Sequence, residues 1–413
     1  MINSFILAFK SLCKWIAKYG SAIFAFVLPL HMLLTSYALS IWFLFTLFFL
    51  FFGGYSLSNF ILTLRSSKIV LLSIVFYLLL SFGLLYSDNY LAGISKITIS
   101  IPFLITPLLF LVNKKLINIS ITFRAFLFGL LFSVILSLLN WLFYDDLTLN
   151  VFYEDFSIFH HSSYFSMMIN IAIALFLFQF ESVSIPKWLK IFVVLLCAFL
   201  VFLISSKSGV LVVIMLFVAK SIHVIKSSSR IVPKLMIVFS IILSSVLLFQ
   251  NNRVQKMIVN LDYIVFSEVP LYPTESTAIR WKIWEKSVNL IADSFVLGYG
   301  TGDANDKLME AYNKDAYLQR HIIKRKYNAH NTFFQLWIMI GISGPLLILI
   351  LLFSILKKHQ YSYFSIGMVL TFLINFSLES MLERHAGVMI FTFFISLIIV
   401  CKDSPFFLNK QIH

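Results

Sequence analysis

The strongest chemical signal in the chain lies at one junction. His330-Asn331 stands where a polar stretch meets a long apolar run, and Gly341-Ile342-Ser343-Gly344 follows after a gap of nine residues. A neutral imidazole can take a proton from a hydroxyl near neutral pH, and the small pair Gly341/Gly344 would let another helix approach closely. The same residues also read as a helix cap with ordinary packing behind it. Three further groups carry cations or histidines. Thr277-Ala278-Ile279-Arg280-Trp281 offers a guanidinium fork for phosphate oxygens. Downstream of it, Gly298-Tyr299-Gly300-Thr301-Gly302 could turn backbone N–H groups toward an anion or simply form a turn. It is no dinucleotide fingerprint, because Asp303 stands where the third glycine would be and no βαβ unit is available. In Ser205-Ser206-Lys207-Ser208-Gly209, Lys207 sits between two apolar runs, either snorkelling or binding an anion at headgroup level. His160-His161-Ser162-Ser163-Tyr164 is a poor metal pair, since adjacent histidines point in different directions on a helix. Finally, Glu379 and Glu383 are four apart and could hold Arg384 or another basic group, or lie in an ordinary solvated loop.

The elements that must position these groups follow from composition. Hydrophobic residues make up 60% of the 413, charged residues only 12%, and mean hydropathy is +0.94. Soluble domains carry about a quarter charged residues, so soluble, disordered and disulfide-scaffold classes are excluded. Cys13, Cys197 and Cys401 lie in or beside apolar runs without CxxC spacing. The chain reads as an all-α polytopic membrane protein, with apolar runs centred on 21–36, 38–54, 68–86, 97–113, 122–144, 163–180, 189–205, 208–223, 235–250, 331–356, 363–379 and 387–401. That is about twelve helices at the length a bilayer requires. Residues 1–413 form a single membrane domain, with one long loop at 251–329 between spans nine and ten.

Charge orients it. With the N-terminal flank of Lys10, Lys14 and Lys18 inside, the inner segments collect Arg65/Lys68, Lys114/Lys115/Arg124, Lys187/Lys190, Lys220/Lys226/Arg230/Lys234, Lys357/Lys358 and Lys402/Lys410. The short outer loops hold Asp88, Asp145, Asp146, Glu154 and Asp155 instead. This is the positive-inside pattern, with both termini cytoplasmic. The net charge of +14 therefore signals orientation and not nucleic acid. The 251–329 loop holds 11 Lys/Arg and 9 Asp/Glu, and within it Trp281, Trp284, Val288 and Ile291 mark a helix stripe expected to face the membrane or the spans below. Arg280, Lys282 and Lys286 would then point toward the headgroups. All five chemical groups fall on the outer face, where cations and a histidine suit a lipid-linked phosphate or diphosphate.

His330-Asn331, the nine-residue gap and Gly341-x-x-Gly344 resemble the signature of the O-antigen ligase and polymerase superfamily. So do the late outer loop, Arg280-Trp281 with the glycine run, the Ser205–Gly209 turn, Leu85-Tyr86-Ser87-Asp88-Asn89, and the turn from Glu379 to Gly387. The resemblance implies a glycosyltransferase of the bacterial inner membrane, acting on the periplasmic side in lipopolysaccharide biosynthesis. It would transfer a glycan from an undecaprenyl-diphosphate carrier to a lipid A-core hydroxyl, with no metal or nucleotide cofactor. It makes His330 the general base and Arg280 a diphosphate ligand, and it places Lys207 where the family commonly has arginine. Asn331, His161, Tyr164 and Arg384 complete the expected substrate-binding set. The partners implied are the carrier-linked donor, the lipid A-core acceptor and membrane lipids. A polymerase, whose acceptor is another carrier-linked unit, is the alternative. A small-anion transporter is a third reading, which mid-span positions rich in Phe, Leu and Ile and the lack of repeated halves disfavour.

Overall fold

The computed structural model describes residues 2–53, 57–144, 156–178, 186–204, 206–227, 255–256, 258–260, 276–322, 327–358 and 362–401. The expected ninth span (235–250), Ser205, the acidic loop residues 145–155 and the basic residues Arg230, Lys234, Lys402 and Lys410 lie outside the described residues. Within them every regular element is helical: α1 (Ile2–Val27), α2 (Met32–Phe52), α3 (Leu57–Arg65), α4 (Lys68–Gly83), α5 (Tyr90–Ser100), α6 (Pro102–Val112), α7 (Ile119–Tyr144), α8 (Ser162–Phe178), α9 (Lys187–Ile204), α10 (Lys207–Ser227), α11 (Ser276–Asp293), α12 (Ala304–Asn313), α13 (Ala316–Ile322), α14 (Thr332–Ile340), α15 (Ser343–Lys358), α16 (Tyr363–Leu378) and α17 (His385–Cys401).

Among the described residues, five stretches are long and apolar enough to cross a membrane: α2, Tyr90–Val112 (α5 running into α6), α7, α9 and α10. Helices α4, α8, α15, α16 and α17 are apolar and shorter. The outward faces are apolar too. On α9, Trp188, Ile191, Phe192, Leu195, Leu196, Phe199 and Phe202 are all exposed, a stripe that lipid would cover and water would not. At the centre stand α17, buried on all sides from Ala386 to Val400, and α8, buried from Ser162 to Leu175 except at the half-buried Tyr164. Helix α17 packs on α6 and also meets α2, α4, α5, α7, α8 and α15. The first residues of α8 and α17 open at one end of the bundle, and the candidate site is built there.

Three expected boundaries move. The first break falls at Leu28–His31 and not near residue 37, because Pro29 cannot continue a helix and His31 Nδ1 accepts the Leu33 amide to start α2. The resulting α1 is amphipathic, with Lys10, Lys14 and Lys18 on its exposed side and Cys13, Ala17 and Gly20 buried. The fourth run starts at Tyr90, which brings Lys96 inside it. The expected tenth span, 331–356, is broken: α14 stops at Ile340 and α15 restarts at Ser343. Gly341 at the break has φ +66°, and a Cβ there would lie 1.8 Å from the Val296 carbonyl oxygen. The close neighbour at Gly341 is thus an irregular loop strand, not the packed helix that two glycines suggested.

Candidate functional site

The glycine run Gly298–Gly302 fills that break. Tyr299 N donates to Ile338 O (2.8 Å), Gly300 N to Met339 O (2.9 Å), Thr301 N to Gly83 O (3.1 Å) and Gly302 N to Ser87 Oγ (3.0 Å). In return Ile342 N donates to Phe295 O (3.0 Å). The carbonyls that a broken helix leaves unpaired are thereby satisfied by the loop. These amides are already engaged, so the run is a clamp and not an anion cradle. Asp303 fixes its far end by accepting from the Asp88 and Asn89 amides at 2.8 and 2.7 Å.

Helix α11 packs on α14 and runs in the same direction, its start near His330 and its end near Trp337 and Ile342. Its inward face is Ala278, Ile279, Ile283, Ser287 and Ile291, while Trp281 and Val288 are exposed. The expected stripe is therefore rotated. Trp284 does turn inward, where its indole N–H donates to Ala329 O (3.1 Å), but Arg280 also turns inward instead of joining Lys282 and Lys286. Those two lysines pair with Glu285, and Lys286 also with Asp315 at 3.0 Å.

What Arg280 meets is Glu379, the residue just past α16, in an ion pair. The other Glu379 oxygen, Oε2, is 2.9 Å from His330 Nδ1. One carboxylate thus bridges the guanidinium and the imidazole, and the three side chains are 17–20% exposed. Burial pushes the Glu379 carboxyl upward, but the His330 hydrogen bond and the charges of Arg280, His330 and His161 outweigh it, so the group is held below the usual carboxylate range. Beside an ionised Glu379, a neutral His330 must donate from Nδ1, which leaves Nε2 as the lone-pair acceptor.

The backbone is arranged to allow this. His330 has φ +45°, a left-handed conformation that histidine adopts more readily than most residues, and its amide donates to Asn328 Oδ1 (3.0 Å). Asn331 is spent on capping: its Oδ1 accepts from Phe333 N and Phe334 N (2.9 and 3.1 Å), starting α14. The Asn331 amide reaches Ser380 Oγ (3.1 Å), and Thr332 Oγ1 donates to Glu379 O (2.7 Å). The histidine loop and the Glu379 turn are therefore one stitched unit, although 49 residues separate them.

Other expected residues converge on the same end. Lys207, at the start of α10, donates to Ser276 Oγ (2.9 Å) and Thr277 Oγ1 (2.8 Å), which open the helix that carries Arg280. His161 is exposed and lies within electrostatic reach of Glu379. Its neighbour His160 points away and bonds Leu28 O (3.1 Å) at the end of α1. Tyr164 is within electrostatic reach of Glu379, Glu383 and Arg384, with its hydroxyl 3.5 Å from Met381 O. Arg384 does not pair with Glu379 or Glu383. It is exposed, and among the described residues it has no carboxylate partner, because Glu383 is taken by Lys96.

Sequence reasoning missed the bridging role of Glu379, the hydroxyls of Ser276 and Thr277, and Lys96. The available signal was an acidic side chain ending an apolar run on the same face as the histidine. Among the described residues no group of three His, Cys, Asp or Glu side chains converges as a metal site would. No curated protein matches the chain. Residues 192–349, which run from α9 through Arg280, His330 and the helix break, match the family model described as O-antigen ligase, and that match supports the resemblance to the O-antigen ligase superfamily.

Proposed function

We propose that this protein is an O-antigen ligase of the bacterial inner membrane, with about twelve spans, the 251–329 loop between the ninth and tenth, and its site on the periplasmic side. The donor is a glycan on undecaprenyl diphosphate and the acceptor a lipid A-core hydroxyl. The observation that carries this reading is the Glu379 bridge, which prepares a base and a cation side by side. His330 Nε2 takes the proton of the acceptor hydroxyl as its oxygen bonds to the anomeric carbon. The carbon–oxygen bond to the diphosphate breaks, and its electron pair leaves with undecaprenyl diphosphate. Glu379 uses one contact on Arg280, so most of the five guanidinium N–H groups remain for the diphosphate, and Lys207 stands beside the start of that helix as a second cation. Attack opposite the leaving group inverts the anomeric centre. Asn331 acts through its cap, holding His330 in place, while His161, Tyr164 and Arg384 line the approach of the sugars.

The lipopolysaccharide profile of a deletion strain, complemented with wild type or with His330→Ala, tests the assignment. A ligase predicts bare core with carrier-linked polymer accumulating, in both the deletion and the His330→Ala strain. Core bearing one repeat unit would make the protein a polymerase, and an unchanged profile would overturn the glycan-transfer reading.

A further inference from the structure

A second polar chain runs through the interior and ends one residue short of His330. Lys96 of α5 is ion-paired with Glu383, in the turn before α17. Glu383 Oε2 accepts from Asn305 Nδ2 of α12 (3.4 Å), Asn305 Oδ1 accepts from Gln335 Nε2 of α14 (2.9 Å), and Gln335 Oε1 accepts from the Ala329 amide (2.9 Å). Glu383 and Gln335 are buried. Lys96 and Glu383 share a narrow cleft with Phe76, Leu80, Phe103 and Leu336, where an unpaired charge would be costly. The opposite side of Ala329 is held as well, by the Trp284 indole on its carbonyl. Ala329, just ahead of the left-handed His330, is thus held on both sides, by Gln335 on its amide and Trp284 on its carbonyl, with Asn305, Glu383 and Lys96 in line behind Gln335. None of Lys96, Glu383, Asn305 and Gln335 is bonded to Arg280, Glu379 or the His330 ring.

We infer that Lys96, Glu383, Asn305 and Gln335 are positioning residues that aim the His330 ring through the Ala329 peptide. The inference rests on the proposed role of His330 as base. It predicts a separation of effects: breaking the chain misaims the base without altering the side chains proposed to bind the donor diphosphate, Arg280 and Lys207.

The test uses the full-length protein in proteoliposomes with purified carrier-linked glycan, comparing wild type, Gln335→Met, Asn305→Leu, Lys96→Met and Lys96→Arg. Two readouts are taken, steady-state transfer and the rate at which diethylpyrocarbonate modifies His330, followed by mass spectrometry with His161 as internal reference. The three chain-breaking variants should lose about 10- to 100-fold in kcat, the range that follows from small misplacement of a reacting group. Their KM for the donor should stay unchanged, the His330 modification rate should change several-fold against His161, and Lys96→Arg should restore the rate. Unchanged kcat, or loss of kcat, KM and folded protein in step, would overturn the inference. If wild type transfers no glycan from any carrier tested, the functional reading fails. The modification rates then decide alone: a changed rate supports aiming by the chain and an unchanged rate refutes it.

Discussion

Glu379→Gln is the most searching perturbation of the site, because it keeps the shape and removes the charge. The carboxylate accepts from Arg280 at one oxygen and from His330 Nδ1 at the other, 2.9 Å away. Glutamine has one oxygen and one NH2. If its oxygen stays with Arg280, the NH2 faces His330, so Nδ1 must become the acceptor and Nε2 must carry the proton. The ring then cannot take a proton from an acceptor hydroxyl. If the oxygen turns to His330, NH2 faces guanidinium, donor against donor. At least one charge-assisted bond is lost, about 1.5–3 kcal/mol, or roughly 10- to 150-fold at 1.36 kcal/mol per decade. The wrong tautomer adds to this; the equivalent Asp→Asn change in a Ser-His-Asp triad costs about 10⁴-fold. The expected loss in kcat is therefore about 10²- to 10⁴-fold. Glu379→Asp, one methylene shorter, reaches only one of the two partners and should fall between. The assay is glycan transfer in proteoliposomes at saturating donor, with the unfolding midpoint recorded on the same samples. Folded Glu379→Gln protein that keeps more than about a tenth of wild-type kcat would refute the base-orienting argument, since even the single lost bond predicts a larger effect.

The remaining predictions concern charge geometry, backbone and pH. Arg280→Lys should rescue transfer poorly compared with wild type and only slightly better than Arg280→Ala, because a point charge cannot hold Glu379 and a diphosphate at once through a planar fork; full rescue would remove the fork from the mechanism. Gly341→Ala places a methyl 1.8 Å from the Val296 carbonyl oxygen at a φ of +66°, so it should cost at least about 2–3 kcal/mol and show as a lowered unfolding midpoint in detergent. His160 lies ahead of α8, and burial, opposed only in part by its bond to Leu28 O, lowers its pKa from 6.5 to about 4. The unfolded chain then binds this proton more readily than the folded one below pH 6.5. The stability from the neutral ring is present above pH 6.5 and is lost as pH falls toward 4, approaching about 3 kcal/mol. Unfolding midpoints from pH 7.5 to 4.5 should fall less steeply in His160→Gln than in wild type.

The helical, membrane-embedded character was legible because lipid demands long unbroken apolar runs, and composition alone shows them. The meeting of Lys207, Arg280, His330 and Tyr164 at one end was legible because each was expected on one common face, beside the ends of apolar runs. Other features depend on pairings that local pattern does not encode. Glu379 gains its meaning from Arg280 and His330, 99 and 49 residues away. The Gly298–Gly302 amides look available until the broken helix they serve is seen, and that break was hidden by an apolar run continuing through Gly341. On α11 the apolar stripe misled because Arg280 and Ser287 take inward positions, and the exposed places fall to Trp281 and Val288. A second apolar set, Ala278, Ile279, Ile283 and Ile291, faces inward instead, and that rotation brings Arg280 to Glu379.

The charge balance around the bridge bears on why a site for an anion should contain carboxylates. Among the described residues near the His330–Glu379 contact, Arg280, Lys207, Arg384 and Lys96 are cationic and Glu379 and Glu383 are anionic. Without the two carboxylates, Arg280 and Lys96 would lose their countercharges, and the repulsion among the cations would oppose folding. With both carboxylates, Lys96 is neutralised within the positioning chain and Arg280 is held in place, while Arg384 is exposed with no carboxylate partner among the described residues. On the proposed reading, a diphosphate donor brings the opposite charge to that side. The pairing also explains why Glu379 must bridge and not merely pair. A carboxylate saturated by Arg280 would leave His330 without an orienting partner, while one reserved for His330 would leave the guanidinium free to swing out of the diphosphate's path.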